Sequence, residues 1–236
     1  MSTPQRSHDA TDPDYFDSFA SRYQEVLDQT LTVAGVNSTD VARYRIQYLR
    51  QRLHLLPQSI LDFGCGVGLA IPFMLEAFPG SRIVGADVSA DSVERARTIH
   101  DSDRVHFCRT TELGEVEFDL GYAQGVFHHI AASERVAAAA NVFRALRPGG
   151  LFALIENNPW NPMTRYVVRT CPFDEGVQLL RPTAARSILS QAGFRVLACD
   201  YICFLPDLAA PLRPLERHLR NFPLGTQYLI LARRDR

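Results

Sequence analysis

The sequence predicts an α/β fold, a mostly parallel sheet with helices on both faces, and three observations carry the prediction. First, Ser59 to Phe63 is a short apolar run interrupted only by Asp62; Gly64, Gly66 and Gly68 follow at alternate positions, and Leu69 to Phe78 reads as a helix. Second, Arg82-Ile-Val-Gly-Ala-Asp87 is another short apolar strand ending in a carboxylate, and Ser89-Ala-Asp-Ser-Val-Glu opens a helix with a capping serine. Third, strands expected near 59–63, 82–87, 104–108, 118–124 and 151–156 alternate with helices near 68–78, 90–100 and 133–147. That alternation is the pattern of parallel strands joined by helical crossovers.

The flanking elements follow from the same signals. Residues 1–13 are polar, contain Pro4 and Pro13, and are expected to be a disordered tail. Asp14 to Leu31 places Tyr15, Phe16, Phe19, Tyr23, Val26 and Leu27 on one broad apolar helical face. Thr39 to Leu55 reads as a second helix, capped at Ser38 or Thr39 and stopped by Pro57. Residues 14–56 are therefore expected to form a helical lid over a main domain at 57–236. Arg147-Pro-Gly-Gly150 closes the helix near 133–147 and turns into Leu151-Phe-Ala-Leu-Ile155. Residues 157–182, opening with Asn157-Asn-Pro-Trp-Asn-Pro162, break the alternation and are expected to form a cap insertion over the C-terminal edge of the sheet, where ligands bind. Pro182 to Gly193 is a helix ended by its glycine, and Phe194–Phe204 and Gly225–Arg233 are the last two strands. Between those strands lies a stretch with four prolines and with Arg213, Arg217, His218 and Arg220, expected to be a solvated helix.

A chain of 236 residues with 46% hydrophobic content suits one α/β domain with an appendage. The formal net charge of −1 provides no broad basic field, which argues against nucleic acid as a partner. All 25 basic residues are arginine. The five cysteines form no C-x-x-C pair, and Cys199 and Cys203 lack a second ligand pair nearby, so a reduced, cytoplasmic chain without a metal is expected. No apolar run reaches the length of a membrane span, and no basic-then-apolar leader opens the chain, so integral membrane association is not expected. Oligomeric state is left open.

A strand, a glycine turn and a helix N-terminus make a nucleotide cradle. A dinucleotide fingerprint, Gly-x-Gly-x-x-Gly, would need glycine at Leu69. The chain instead has Asp62-x-Gly64-x-Gly66-x-Gly68, and Asp87 lies 23 residues after Gly64, near the spacing at which an acid meets a ribose. This pattern resembles the S-adenosylmethionine (SAM) loop of class I methyltransferases, especially the ubiquinone- and menaquinone-biosynthesis type. The R-P-G-G turn and the segment Phe127-His-His-Ile130 are similar to theirs, and the likeness covers roughly residues 15–156. It implies a Rossmann-like, seven-stranded, mostly parallel sheet with the last strand antiparallel, and SAM as cofactor. It also implies site residues. The backbone of Gly64, Cys65 and Gly66 would face the methionine part, with Asp62 just ahead of them. Asp87 would take the ribose, Val88 the adenine face, and Thr111 or Glu112 the adenine amino group. Gln124 would meet the SAM amino group through its carbonyl, Phe127 would flank the cofactor, and Tyr23 would cover it.

Chemistry is expected from His128 or His129, with His129 favoured by position. An imidazole with an ordinary pKa near ~6.5 can take the acceptor's proton as the methyl transfers. Arg165 and Arg169, four apart on a helix, are candidates to clamp an anionic substrate group, and Trp160 and Tyr166 to form a substrate wall. The expected activity is methylation of an oxygen or nitrogen on a small molecule. The alternatives are a sugar or lipid-linked acceptor, a non-catalytic SAM-binding regulatory protein, and a nicotinamide dehydrogenase, which Leu69 counts against.

Overall fold

The computed structural model describes residues 22–114, 117–174 and 176–235. The tail, the start of the first lid helix and its aromatic face up to Phe19 lie outside the described residues. In chain order the helices are α1 (Tyr23–Leu31), α2 (Ser38–Arg52), α3 (Ile71–Ala77), α4 (Ala90–His100), α5 (Arg135–Ala145), α6 (Pro162–Thr170) and α7 (Pro182–Gln191). The strands are β1 (Ser59–Phe63), β2 (Arg82–Asp87), β3 (Val105–Arg109), β4 (Phe118–Gln124), β5 (Leu146–Asn157), β6 (Phe194–Ile202) and β7 (Gln227–Arg234). They form one seven-stranded sheet in the order β3-β2-β1-β4-β5-β7-β6. Strands β1 to β5 pair in parallel, whereas β7 runs antiparallel to both β5 and β6. The chain reverses its direction of travel across the sheet between β1 and β4, so the C-terminal ends of these two strands flank the crevice where open α/β sheets bind ligands.

Alternating side chains divide the core. Ile60, Leu120, Tyr122, Ala153 and Ile155 face α2, α3 and α4; Leu61, Phe63, Ala123, Phe152 and Leu154 face α5 and α7. No helix among the described residues is long and apolar enough to cross a membrane.

Four expectations change. Helix α2 is a wall of the domain rather than part of a separate lid: Ile46 and Leu49 are wholly buried in the same cluster as β1 and β4. Its cap is Asn37, whose side chain accepts from the Asp40 amide at 2.8 Å, while the Ser38 amide donates to Asp28 at 2.7 Å. Helix α3 begins at Ile71, three residues later than the apolar pattern suggests, because the glycine turn extends past Gly68. Arg147-Pro-Gly-Gly150 lies inside β5, where its pairing with β4 shifts register between Phe118 and Leu120.

Candidate active site

The glycine loop is shaped by packing on both sides. Gly64 has φ of 75°, and a Cβ there would lie 2.4 Å from Val126 Cγ2. Gly66 has φ of 52°, yet a Cβ there would meet nothing within 4 Å. Gly64 is thus required by the fold, and Gly66 borders open space. The amides of the loop bond within the protein. Gly64 and Cys65 both donate to the Ala86 carbonyl, at 2.7 and 3.2 Å, and Gly66 donates to Asp87 Oδ2 at 2.8 Å. What the loop offers a ligand is room.

Carboxylates dominate this edge. Asp87, at the end of β2, is almost buried and also accepts from the Ser89 amide at 2.9 Å. Asp62, in β1, is 3% exposed. Burial pushes its pKa up to about 7, and the nearby Asp87 charge adds to the rise. Asp62 and Asp87 are thus two buried acids side by side. Val88 is half exposed beyond Asp87, and the turn carrying Thr111 and Glu112 follows the adjacent strand, so these three share one corner of the sheet. Glu112 is turned onto its own loop, where Oε2 accepts from the Arg109 amide at 2.9 Å. Gln124 ends β4 beside β1. Cys65 is buried, and burial holds its thiol well above its ordinary pKa. Phe127 does not reach the crevice: it is wholly buried between Phe63 and Phe152, with centroids 6.4 and 6.3 Å away, because the turn after β4 folds its ring inward. The Tyr23 side chain lies outside the described set.

The two histidines have unlike surroundings. His128 is buried, with Nδ1 2.5 Å from Glu156 Oε2 and Nε2 3.4 Å from Asp174 Oδ1. Burial alone would lower its pKa, but Glu156 and Asp174 outweigh it and raise the value to about 10, so His128 is a cation at neutral pH. His129 has Nε2 3.3 Å from the same Asp174 oxygen. Burial, and then the neighbouring His128 charge, lower its pKa against the pull of Asp174, so His129 is neutral. Burial acts to raise the Asp174 pKa, but its bonds to both histidines hold that carboxyl well below the usual range. Glu156 is fully buried and accepts from the Phe127 amide as well, at 2.8 Å. The donor atoms of His128, His129 and Asp174 lie within 4.8 Å of one another, a spacing open to a metal ion. A His128 cation between two carboxylates already balances that charge with a proton.

Glu156 and Asp174 were not among the sequence candidates. A signal existed for Glu156: it closes a buried strand with an acid, as Asp62 and Asp87 do. None existed for Asp174, which arrives from the insertion. The expected substrate residues are less well placed. Arg165, Tyr166 and Arg169 are on the exposed side of α6, whose buried face is Thr164 and Val168, and neither arginine forms an ion pair among the described residues. Trp160 is half exposed, with its ring 6.2 Å from Tyr201.

Comparison with known proteins agrees with this geometry. A methyltransferase domain model matches residues 61–152. The chain is 29% identical over 164 residues to an uncharacterised methyltransferase of Synechocystis, covering 62% of this chain and 76% of that one. It is also 29% identical over 183 residues to phosphoethanolamine N-methyltransferase 1 of Zea mays, covering 73% of this chain but only 36% of the longer relative. A SAM-dependent methyltransferase from Mesorhizobium loti superposes with a TM-score of 0.59 at 23% identity, over 82% of this chain and 98% of its own. Residues 61–152 thus match a methyltransferase domain, and the fold is shared with SAM-dependent methyltransferases, which use SAM. Its residues fit that cofactor: an open space stands at Gly66, whose amide bonds Asp87, and this acid and Asp62 are the kind of charge that SAM's ammonium and sulfonium would meet.

Proposed function

We propose that this chain methylates an oxygen or nitrogen of a small-molecule acceptor. The observation that carries this reading is the neutral His129 beside a His128 cation fixed between Glu156 and Asp174. A hydroxyl or ammonium acceptor must lose a proton when it is methylated, and a neutral imidazole is the group suited to take it. When bound, SAM supplies a methyl carbon activated by its sulfonium.

The chain's own residues divide the remaining work. Asp87 accepts from the ribose hydroxyls, and Asp62 faces the cationic end. Gly64, Cys65 and Gly66 leave room for the methionine part, and Gln124 offers a carbonyl to the amino group. Val88, with Thr111 or Glu112, borders the adenine, and Tyr23 covers the cofactor. Asp174 orients His129 and steadies the imidazolium that forms, as the acid of a hydrolase triad does for its histidine. Trp160 is the member of the expected substrate wall closest to the sheet edge. Holding acceptor and donor in line supplies most of the acceleration, and the base supplies the rest.

The test is a screen with methyl-labelled SAM over phenols, hydroxy acids and amines, scored by release of S-adenosylhomocysteine. Turnover by the parent and its loss in His129→Ala, with SAM affinity retained, is the expected result. SAM binding with no turnover on any acceptor would favour a regulatory binder.

A further inference from the structure

Arg45 is the one arginine of α2 that is buried without a counter-ion among the described residues. It is 8% exposed. Its Nε donates to Gln227 Oε1 at 2.7 Å, a neutral partner. Its two terminal nitrogens donate no hydrogen bond among the described residues, and neither is sealed from solvent. No carboxylate lies within 4.0 Å of it there. The acids near this end of the helix are engaged elsewhere. Asp200 is 2.7 Å from Arg52 Nε and accepts from Tyr48 at 3.0 Å, and Glu216 accepts from Tyr44 at 2.6 Å and from the Leu205 amide at 3.0 Å. A buried guanidinium is costly unless it is paired with an anion and its N–H groups are bonded. Here the charge has no counter-ion among the described residues, and both amino groups are open to solvent or to a ligand.

The place matters. Gln227 opens β7 and pairs with Asn157, the last residue of β5, and with Ile202, the last residue of β6. It also donates to the Asn157 side chain at 3.2 Å. Gln227 thereby ties Arg45 to the C-terminal ends of β5 and β6, where its strand partner Asn157 follows Glu156. A planar fork of N–H groups matches a carboxylate or a phosphate.

Resting on the methyltransferase reading above, we propose that Arg45 is the binding site for an anionic group, carboxylate or phosphate, carried by the methyl acceptor. Arg45 would then choose among acceptors, the part the exposed Arg165 and Arg169 were expected to play.

The experiment is calorimetric titration of the S-adenosylhomocysteine-bound protein, and of the protein alone, with inorganic phosphate, acetate and phosphoethanolamine. Saturable binding is expected, weakened ten- to a hundred-fold in Arg45→Gln, the usual worth of charge-assisted bonds. A phosphate preference would point to a phosphorylated acceptor and an acetate preference to a carboxylic acid. Gln227→Glu places a carboxylate against Arg45 Nε; it should raise the melting temperature and abolish anion binding together. No binding by the folded parent, or equal binding by parent and Arg45→Gln, would overturn the proposal. Failure to bind S-adenosylhomocysteine would count against the methyltransferase reading instead, and the titration without it would still judge Arg45.

Discussion

The two ends of the crevice handle charge in opposite ways. At the β1–β2 end, Asp62 and Asp87 are buried together, and burial with the nearby Asp87 charge lets Asp62 hold its proton up to about pH 7. At the β4–β5 end, Glu156 and Asp174 are just as buried, but His128 stands between them as a cation and both bond to it. One end is a set of acids that a cationic ligand would complete. The other is complete in the fold itself, and the His128 charge there helps to keep His129 neutral. On the proposed function, binding and proton transfer would be kept apart by what meets the acids: a ligand in one place, a side chain in the other.

The largest expected effect tests the complete end. His129→Ala should lower turnover by about 10²–10⁴-fold with SAM affinity nearly unchanged. His128→Ala should instead act mainly through stability, since it removes the cation between two acids. If both variants lost the same small amount of turnover, the distinction between the two histidines would be wrong. Next in size is Glu156→Leu, which leaves the His128 cation with one partner and should cost about 3–5 kcal/mol of stability in a urea melt, as breaking a buried pair does. A loss under about 1 kcal/mol would show that the pair is not a structural ion pair.

The incomplete end should show smaller and differently signed effects. Asp87→Ala should weaken SAM by roughly 1.5–3 kcal/mol in calorimetry, the worth of hydrogen bonds to a charged group. The smallest effect is the most diagnostic. Because the folded pKa of Asp62 is raised from 3.8 to about 7, the folded protein binds the extra proton between those values. Its cost to stability is therefore fully present above pH 7 and is relieved as pH falls toward 4. Asp62→Asn should melt higher than the parent at pH 8, lose most of that advantage at pH 5, and bind SAM more weakly at the higher pH. In the parent, SAM affinity should fall as pH drops below about 7. An affinity that stays flat from about pH 5.5 to 8.5 would mean that Asp62 does not meet the ligand's charge.

The sequence by itself was enough for the sheet and the crevice at its C-terminal edge. Alternating strands and helices, the glycine turn, and acids at 62 and 87 are local patterns, and each reports on residues a few positions apart. Local pattern also identified the paired histidines. It could not distinguish one from the other, because their difference is made by Glu156 and Asp174, 28 and 46 residues beyond His128. It placed α2 in a lid, because an amphipathic helix does not announce which surface it covers; only the core shows Ile46 and Leu49 against the sheet. It chose Arg165 and Arg169 for their helical spacing and passed over Arg45, since spacing says nothing about which guanidinium is buried without an anion. Element type follows from short-range sterics and hydrophobic period, whereas the charge state of a buried group depends on every residue that the fold packs around it, however distant in the chain.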